Sequence, residues 1–442
     1  MSAAENLESK LKALQSHFTW DLDPTRSKLF CLKANLEDIG TEEGNIWLGH
    51  IYNLQGFIQY KLGSLEEARG FFSRATEAFQ QVKTTDEGPW LMVNYGNLAW
   101  LHHHMGEDKK SQDFLSKVDA LLKKYPSPIK EELHPKVCAE KAWTLMHFSN
   151  EQKLQAADYF QKAFRMEPDM VQWQTSRMLA LVNAFKHSET GLAHDIWEDM
   201  SVARREDPEN LYLAAVELKQ SAKRGEQVRD EAEELTDKII LNPVSSYSGL
   251  KALLRVYREM DAFDEAIDLA EKALSKHPDS RYLKRCAAIC YKWKILHSKD
   301  RRPNPRRLDR AIGLYEEVIA LYPHSNLSKK LDLASIQAKS PQGLARSEQM
   351  YQELLRNVQD PADKQMLYNS YAKYLNFDRN DRNKSVEYHM KAAAIDQESF
   401  SRQNSIKVLE KIKARGRSRL DRRVNEFLEL LQSRGVVEQH RL

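Results

Sequence analysis

The chain has 442 residues, of which 41% are hydrophobic, 9% aromatic and 30% charged, with a formal net charge of +3. That is the composition of an ordered globular protein, and it excludes a disordered or collagen-like chain. With 16 Gly and 14 Pro, it is also too poor in turn formers for an all-β fold or for many glycine-rich phosphate loops.

The N-terminal stretch MSAAENLESKLKALQ has no apolar core of a secretory signal. No stretch approaches the roughly 18 apolar residues of a membrane span. The four cysteines, Cys31, Cys138, Cys286 and Cys290, are sparse and fit buried thiols in a reducing compartment. A cytoplasmic location without membrane association is expected. Residues 1–44 read as an N-terminal helical cap.

From residue 45 onward, apolar residues recur at helical spacing, as in Leu54, Phe57, Ile58, Leu62 and Leu65. Extended alternation is scarce, so the fold class is all-α. Helices end repeatedly in a proline that cannot continue them: Pro168, Pro208, Pro243, Pro278 and Pro323, spaced 40, 35, 35 and 45 residues apart. A stop near every 34 residues is the period of a helix–turn–helix repeat. Small and aromatic residues keep the same offsets: Ala68, Phe72, Ala75; Ala156, Phe160, Ala163; Ala266, Ala270, Ala273. This is the tetratricopeptide-repeat pattern. Eight or nine such units are expected over residues 45–400, stacked into a superhelix with a concave groove.

Two regions break the rhythm. Residues 299–307, KDRRPNPRR, read as a basic loop insertion, and residues 401–442 as a basic helical tail. Between Arg281 and Arg310 stand eleven Lys/Arg against two Asp, and over residues 402–423 nine against two. The remainder of the chain is therefore net negative, and charge is segregated.

In a repeat of this kind the first helix lines the groove. Opposite the packing stripe Leu250, Leu253, Leu254 and Tyr257 lie Lys251, Arg255 and Arg258, which share one helix face. In the next first helix, Tyr282, Arg285 and Lys292 fall on the corresponding side. A lone basic stripe is ordinarily solvated surface, and packing is the alternative role for Tyr282. Stripes on adjacent hairpins facing one concavity focus their field and favour an anionic ligand. Basic side chains with interleaved aromatics suit single-stranded nucleic acid.

Nucleotide-loop, zinc-protease and nucleophile-elbow motifs are missing from the sequence. Three consecutive histidines, His102 to His104, point about 100° apart on a helix and do not converge on one metal ion. Cys286 and Cys290 lack a second pair at zinc spacing. No cofactor, metal or catalytic role is expected.

Three segments carry a resemblance. HFTW (residues 17–20), NYGNLAWLHHHMG (94–106) and CAEKAWTLMHF (138–148) are similar to segments of the interferon-induced proteins with tetratricopeptide repeats. The similarity runs from about residue 10 to about residue 400. It implies an antiviral, cytoplasmic, non-enzymatic protein. One branch of that family binds single-stranded viral RNA by its 5′ end and withholds it from translation. By resemblance, Lys251, Arg255, Tyr282 and Arg285 stand at RNA-contacting positions, and Trp143 at a tryptophan that stacks on a cap guanine. His147 replaces a lysine that meets terminal phosphates and is expected to be only partly charged. Asn183 replaces a partner arginine, and Cys31, Asn35 and Ile39 occupy three further pocket positions. Lys33 or Lys186 stand near enough to substitute. The expectation is a single-stranded RNA binder that forms homo- or hetero-oligomers with related repeat proteins. The alternative is a scaffold whose groove holds protein partners.

Overall fold

The computed structural model describes residues 3–40, 45–82, 88–186, 192–297, 303–414 and 419–439. Among them every regular element is helical, as the periodicity predicts. The chain divides into two compact units, Met1–Met260 and Asp261–Leu442.

In the first unit, helices Ala3–Lys12 and Arg26–Ile39 precede five hairpins. These are Leu48–Lys61 with Leu65–Val82, Met92–His104 with Asp108–Lys124, Pro135–Leu145 with Asn150–Met166, Val171–Ala184 with His194–Glu206, and Leu211–Lys223 with Arg229–Ile239. Helix Leu250–Glu259 follows. The repeat positions do the packing: Ala68, Phe72, Ala75, Ala156, Phe160 and Ala163 are all 0% exposed. Small residues let paired helices approach, and the phenylalanines fill the remaining gap.

The three sequence segments that carry the family resemblance meet at one buried histidine. The His17 backbone N–H donates to Asn97 Oδ1 at 3.0 Å, and the ring Nε2 lies 3.0 Å from Thr144 Oγ1. Trp100 Nε1 donates to the Leu11 carbonyl at 3.1 Å. Burial pushes the His17 imidazole down to about 3, so it stays neutral and serves as a joint, not as a charge. The same helices share a polar chain in which Asn94 Nδ2 donates to Asn53 Oδ1 at 2.8 Å and Asn53 Nδ2 to Glu140 Oε1 at 2.6 Å.

A second long-range joint closes the first unit on itself. Ser245 Oγ donates to the Ile39 carbonyl at 2.6 Å, and the Ser246 N–H to the Asp38 carbonyl at 2.8 Å. The loop before helix Leu250–Glu259 is thus fastened to the end of helix Arg26–Ile39, 206 residues away. Gly249 caps that later helix at φ 88°, with the Leu211 carbonyl oxygen 2.8 Å from where a Cβ would sit. Only glycine fits that conformation and contact.

The second unit opens with helix Phe263–Lys276 and adds Arg281–His297, Pro305–Leu321, Leu327–Gln337, Gly343–Asn357, Pro361–Phe377 and Arg382–Ala394. Of the expected basic loop, residues 299–302 lie outside the described residues. Pro305 to Arg307 form a first helical turn capped by Asn304, whose Oδ1 accepts from the N–H of Arg306 and Arg307. The basic tail is packed: Leu409, Ile412, Val424 and Leu428 of helices Phe400–Lys413 and Arg419–Gln439 share a core with Val386 and Ala393. Among the described residues, no helix is long and apolar enough to cross a membrane.

Truncating Asn97 to alanine leaves the buried His17 without its main partner. Asn97→Ala is expected to cost about 1–3 kcal/mol of stability, read by denaturant unfolding. An unchanged midpoint would remove this joint from the account.

Candidate functional site

Helix Leu250–Glu259 places Lys251, Arg255 and Arg258 on one half-buried face, as the spacing predicts. Arg258 pairs with its neighbour Glu259 through Nη2. Arg255 faces cations from two other elements of the same unit. Lys219 and Lys223 lie one turn apart on helix Leu211–Lys223, and Lys186 follows the C-terminus of helix Val171–Ala184. Lys219 is only 7% exposed. Its ammonium is pushed down to about 7, first by burial and then by the charges of Arg255, Lys223 and Lys186, while Glu259 opposes the shift. Lys186 is pushed down to about 8 by loss of hydration, then by Arg255, Lys153, Lys223 and Arg258. Yet the Lys186 side chain remains accessible to water.

The positive field continues toward the N-terminal helices. Lys153, on helix Asn150–Met166, is lowered by burial and by Lys28 of helix Arg26–Ile39. Lys28 is lowered by burial as well. Lys28, Lys153, Lys186, Lys219, Lys223, Arg255 and Arg258 therefore form one electrostatically coupled track. Two unit charges about 6 Å apart repel by roughly 3 kcal/mol at an effective dielectric near 20.

Two tyrosines border the track. The rings of Tyr212 and Tyr247 stack with centroids 5.8 Å apart and 22° between planes. Tyr212, Lys219 and Lys223 share a helix face, at offsets of seven and four. Tyr212 feels the Arg255 charge.

Other expected contacts take different roles. Trp143 is 1% exposed; it stacks on Trp47 at 6.2 Å and meets the His147 ring edge-on at 4.6 Å. It is a core tryptophan here, with its surface already covered. The partial charge expected on His147 is absent, because burial, Lys28 and Lys153 push its imidazole down to about 3. Its Nε2 is buried without a hydrogen-bond partner. Ile39 is buried, Cys31, Lys33 and Asn183 are half-buried, and Asn35 is exposed.

Tyr282, Arg285 and Lys292 lie in the second unit, on helix Arg281–His297. Tyr282 is 2% exposed, so it is packing rather than an open stacking ring. Lys292 Nζ is matched by Asp332 Oδ2 at 2.9 Å. Arg285 and Arg281 lie 5.6 and 4.3 Å from the Tyr322 ring centroid, joined by Lys329 at 4.5 Å. Much of the basic excess between Arg281 and Arg310 is spent in ion pairs: Lys284 with Glu317, Lys294 and Arg307 with Asp264, Arg310 with Glu271. Five of the eleven basic residues of this stretch are thus paired with acids of neighbouring helices.

The three histidines diverge as expected. His102 and His103 bond Glu107 and Asp108, and His104 stacks near Phe18 and Trp100.

No protein-family model matches the chain. It is 25% identical over 425 residues to human interferon-induced protein with tetratricopeptide repeats 2, covering 92% of this chain and 87% of the relative. It is 24% identical over 427 residues to the antiviral innate immune response effector IFIT1 of Macaca fascicularis, with the same coverage. Among solved structures it is similar to the human IFIT1 dimer with m7Gppp-AAAA, with TM-score 0.69 and 23% identity over 93% of this chain and 92% of the other. A monomeric IFIT1 mutant with Gppp-AAAA gives TM-score 0.71 at 21% identity, covering 97% and 99%. The chain resembles these interferon-induced proteins along nearly its whole length, and the likeness shows the fold, an all-α tetratricopeptide-repeat superhelix.

The depressed lysines make a signed prediction. Below pH 7 Lys219 is charged in both folded and unfolded chains, and the folded state bears the full cost. Between about 7 and the ordinary lysine value, the unfolded chain binds more protons, so stability rises with pH. Lys219→Met should therefore raise the melting temperature by a few degrees at pH 6.5, and the gain should shrink toward pH 10. A melting temperature lowered equally at both pH values would contradict this.

Proposed function

We infer that this chain is one of the interferon-induced tetratricopeptide-repeat proteins and that it binds single-stranded RNA along the track from Lys28 to Arg258. The role is antiviral sequestration in the cytoplasm, without catalysis. The carrying observation is the crowd of like charges at Lys186, Lys219, Lys223 and Arg255, with the Tyr212–Tyr247 stack beside Arg255. A phosphodiester strand supplies anions at regular spacing and rings for the tyrosines. The similar IFIT1 structures hold capped and triphosphate AAAA RNA, which supports the same ligand class. Where the resemblance puts terminal phosphates, His147 is neutral, and Lys28 and Lys153 supply the charge instead. The dimeric relative supports self-association of this chain.

Binding of a short 5′-triphosphate oligoribonucleotide should weaken steeply with salt as counterions are released. Lys219→Glu with Arg255→Glu should lower affinity more than tenfold and flatten the salt slope by about 1.4, two single-strand phosphate contacts. Lys28→Ala with Lys153→Ala should narrow the preference for triphosphate over 5′-hydroxyl ends while leaving hydroxyl-end binding nearly intact. Filter binding reads both. Unchanged affinity in the first variant, or no binding of any RNA by the wild type at low salt, would end this reading.

A further inference from the structure

The first unit also contains an aromatic cavity whose lining includes none of the seven cations of the track. Its volume is about 300 Å³, and Trp47, His50, Phe79, Trp90, Glu140 and Trp173 are its principal walls. That size is at the lower end of small-molecule pockets, which run from about 300 to 1,000 Å³ and pair apolar walls with a few convergent polar groups. Four elements meet there: the starts of helices Leu48–Lys61, Pro135–Leu145 and Val171–Ala184, and the end of helix Leu65–Val82. Gly49 makes the shape possible. A Cβ there would lie 2.5 Å from the Phe79 ring, which would have to move.

We propose that this cavity binds a small, uncharged, planar heteroaromatic ring of the nucleobase type, stacked on its tryptophans and hydrogen-bonded to His50 and Glu140.

Each part of the proposal answers a feature of the walls. The aromatic rings offer faces to a planar ligand. The Nδ1 atom of His50 is buried without a hydrogen-bond partner, which a ring donor or acceptor would supply. Glu140 is 2% exposed, accepts from Asn53 at one oxygen, and is pushed up to about 8 by burial. At neutral pH it is a protonated acid, able both to donate and to accept. An anionic ligand finds little to match it. The Lys136 ammonium sits 4.5 Å over the Trp173 ring and pairs with Glu167 at 2.5 Å. Trp47 lines the cavity and stacks on Trp143, which does not line it. The cavity is therefore assigned to a ring and not to phosphate.

That ring could come from a free nucleoside or from an unstacked base of a strand, and the test separates the two. Adenosine, guanosine, cytidine and uridine are titrated into the full-length chain, with tryptophan fluorescence as the readout, at 0.15 and 1 M salt. A 5′-hydroxyl trinucleotide forms the second arm. Saturable quenching by at least one nucleoside is expected, with an affinity that changes less than twofold with salt. His50→Leu should weaken it about tenfold, and Gly49→Ala should do the same by driving Phe79 inward. Lys219→Glu with Arg255→Glu should leave it unchanged, so failure here is distinct from failure of the RNA track. Quenching by the trinucleotide alone, lost in His50→Leu, assigns the ring to a strand. Circular dichroism checks that each variant folds, and either variant suffices for the test. The proposal is overturned if no nucleoside or trinucleotide quenches at millimolar concentration. It is equally overturned if quenching survives in a folded His50→Leu or Gly49→Ala chain.

Discussion

Like charges crowded together, with much of their hydration replaced by protein, are the constraint around which the first unit is arranged. Lys186 and Lys219 are pushed down first because protein has replaced much of their hydration and then because Arg255 and Lys223 face them both. A fold assembled for stability alone would place acids among them or turn them outward. Here Glu259 offsets them only in part, and the remaining cost is met elsewhere in the unit.

It is met by dry cores and long-range joints. The alanines and phenylalanines of the repeats are fully enclosed. His17 ties two hairpins together, and Ser245 and Ser246 fasten the loop before helix Leu250–Glu259 to the helix that carries Lys28. The second joint bears directly on the track, because it holds its first and last cations on elements that touch. The motifs that carry the family resemblance, HFTW and GNLAW among them, are thus structural: they build the frame, and less conspicuous residues carry the charge.

That division explains what could be read in advance. Helix class, repeat period and packing positions follow from spacing, which the backbone enforces locally. Arg255 and Arg258 follow from the same geometry. Lys219 and Lys223 were open to the identical argument, since they share a face with Tyr212, but a lysine pair in a mostly apolar helix draws less notice than a dense basic run. The dense run from Arg281 to Arg310 misleads for a physical reason: local charge says nothing about partners 30 or 40 residues away, and Asp264, Glu271, Glu317 and Asp332 pair with five of its cations. Trp143 and Tyr282 mislead similarly, because an aromatic on an inward face is a stacking platform only if its neighbours leave it open.

The central claim is that Lys186 and Lys219, pushed down to about 8 and about 7 by burial and by neighbouring cations, regain full charge when an anion binds. The direct measurement is calorimetric binding of a single-stranded oligoribonucleotide at pH 8, in two buffers of different ionisation enthalpy. If the account is right, binding takes up protons at that pH, and the uptake falls in Lys219→Met. Binding with no net proton uptake in the wild-type chain would contradict it.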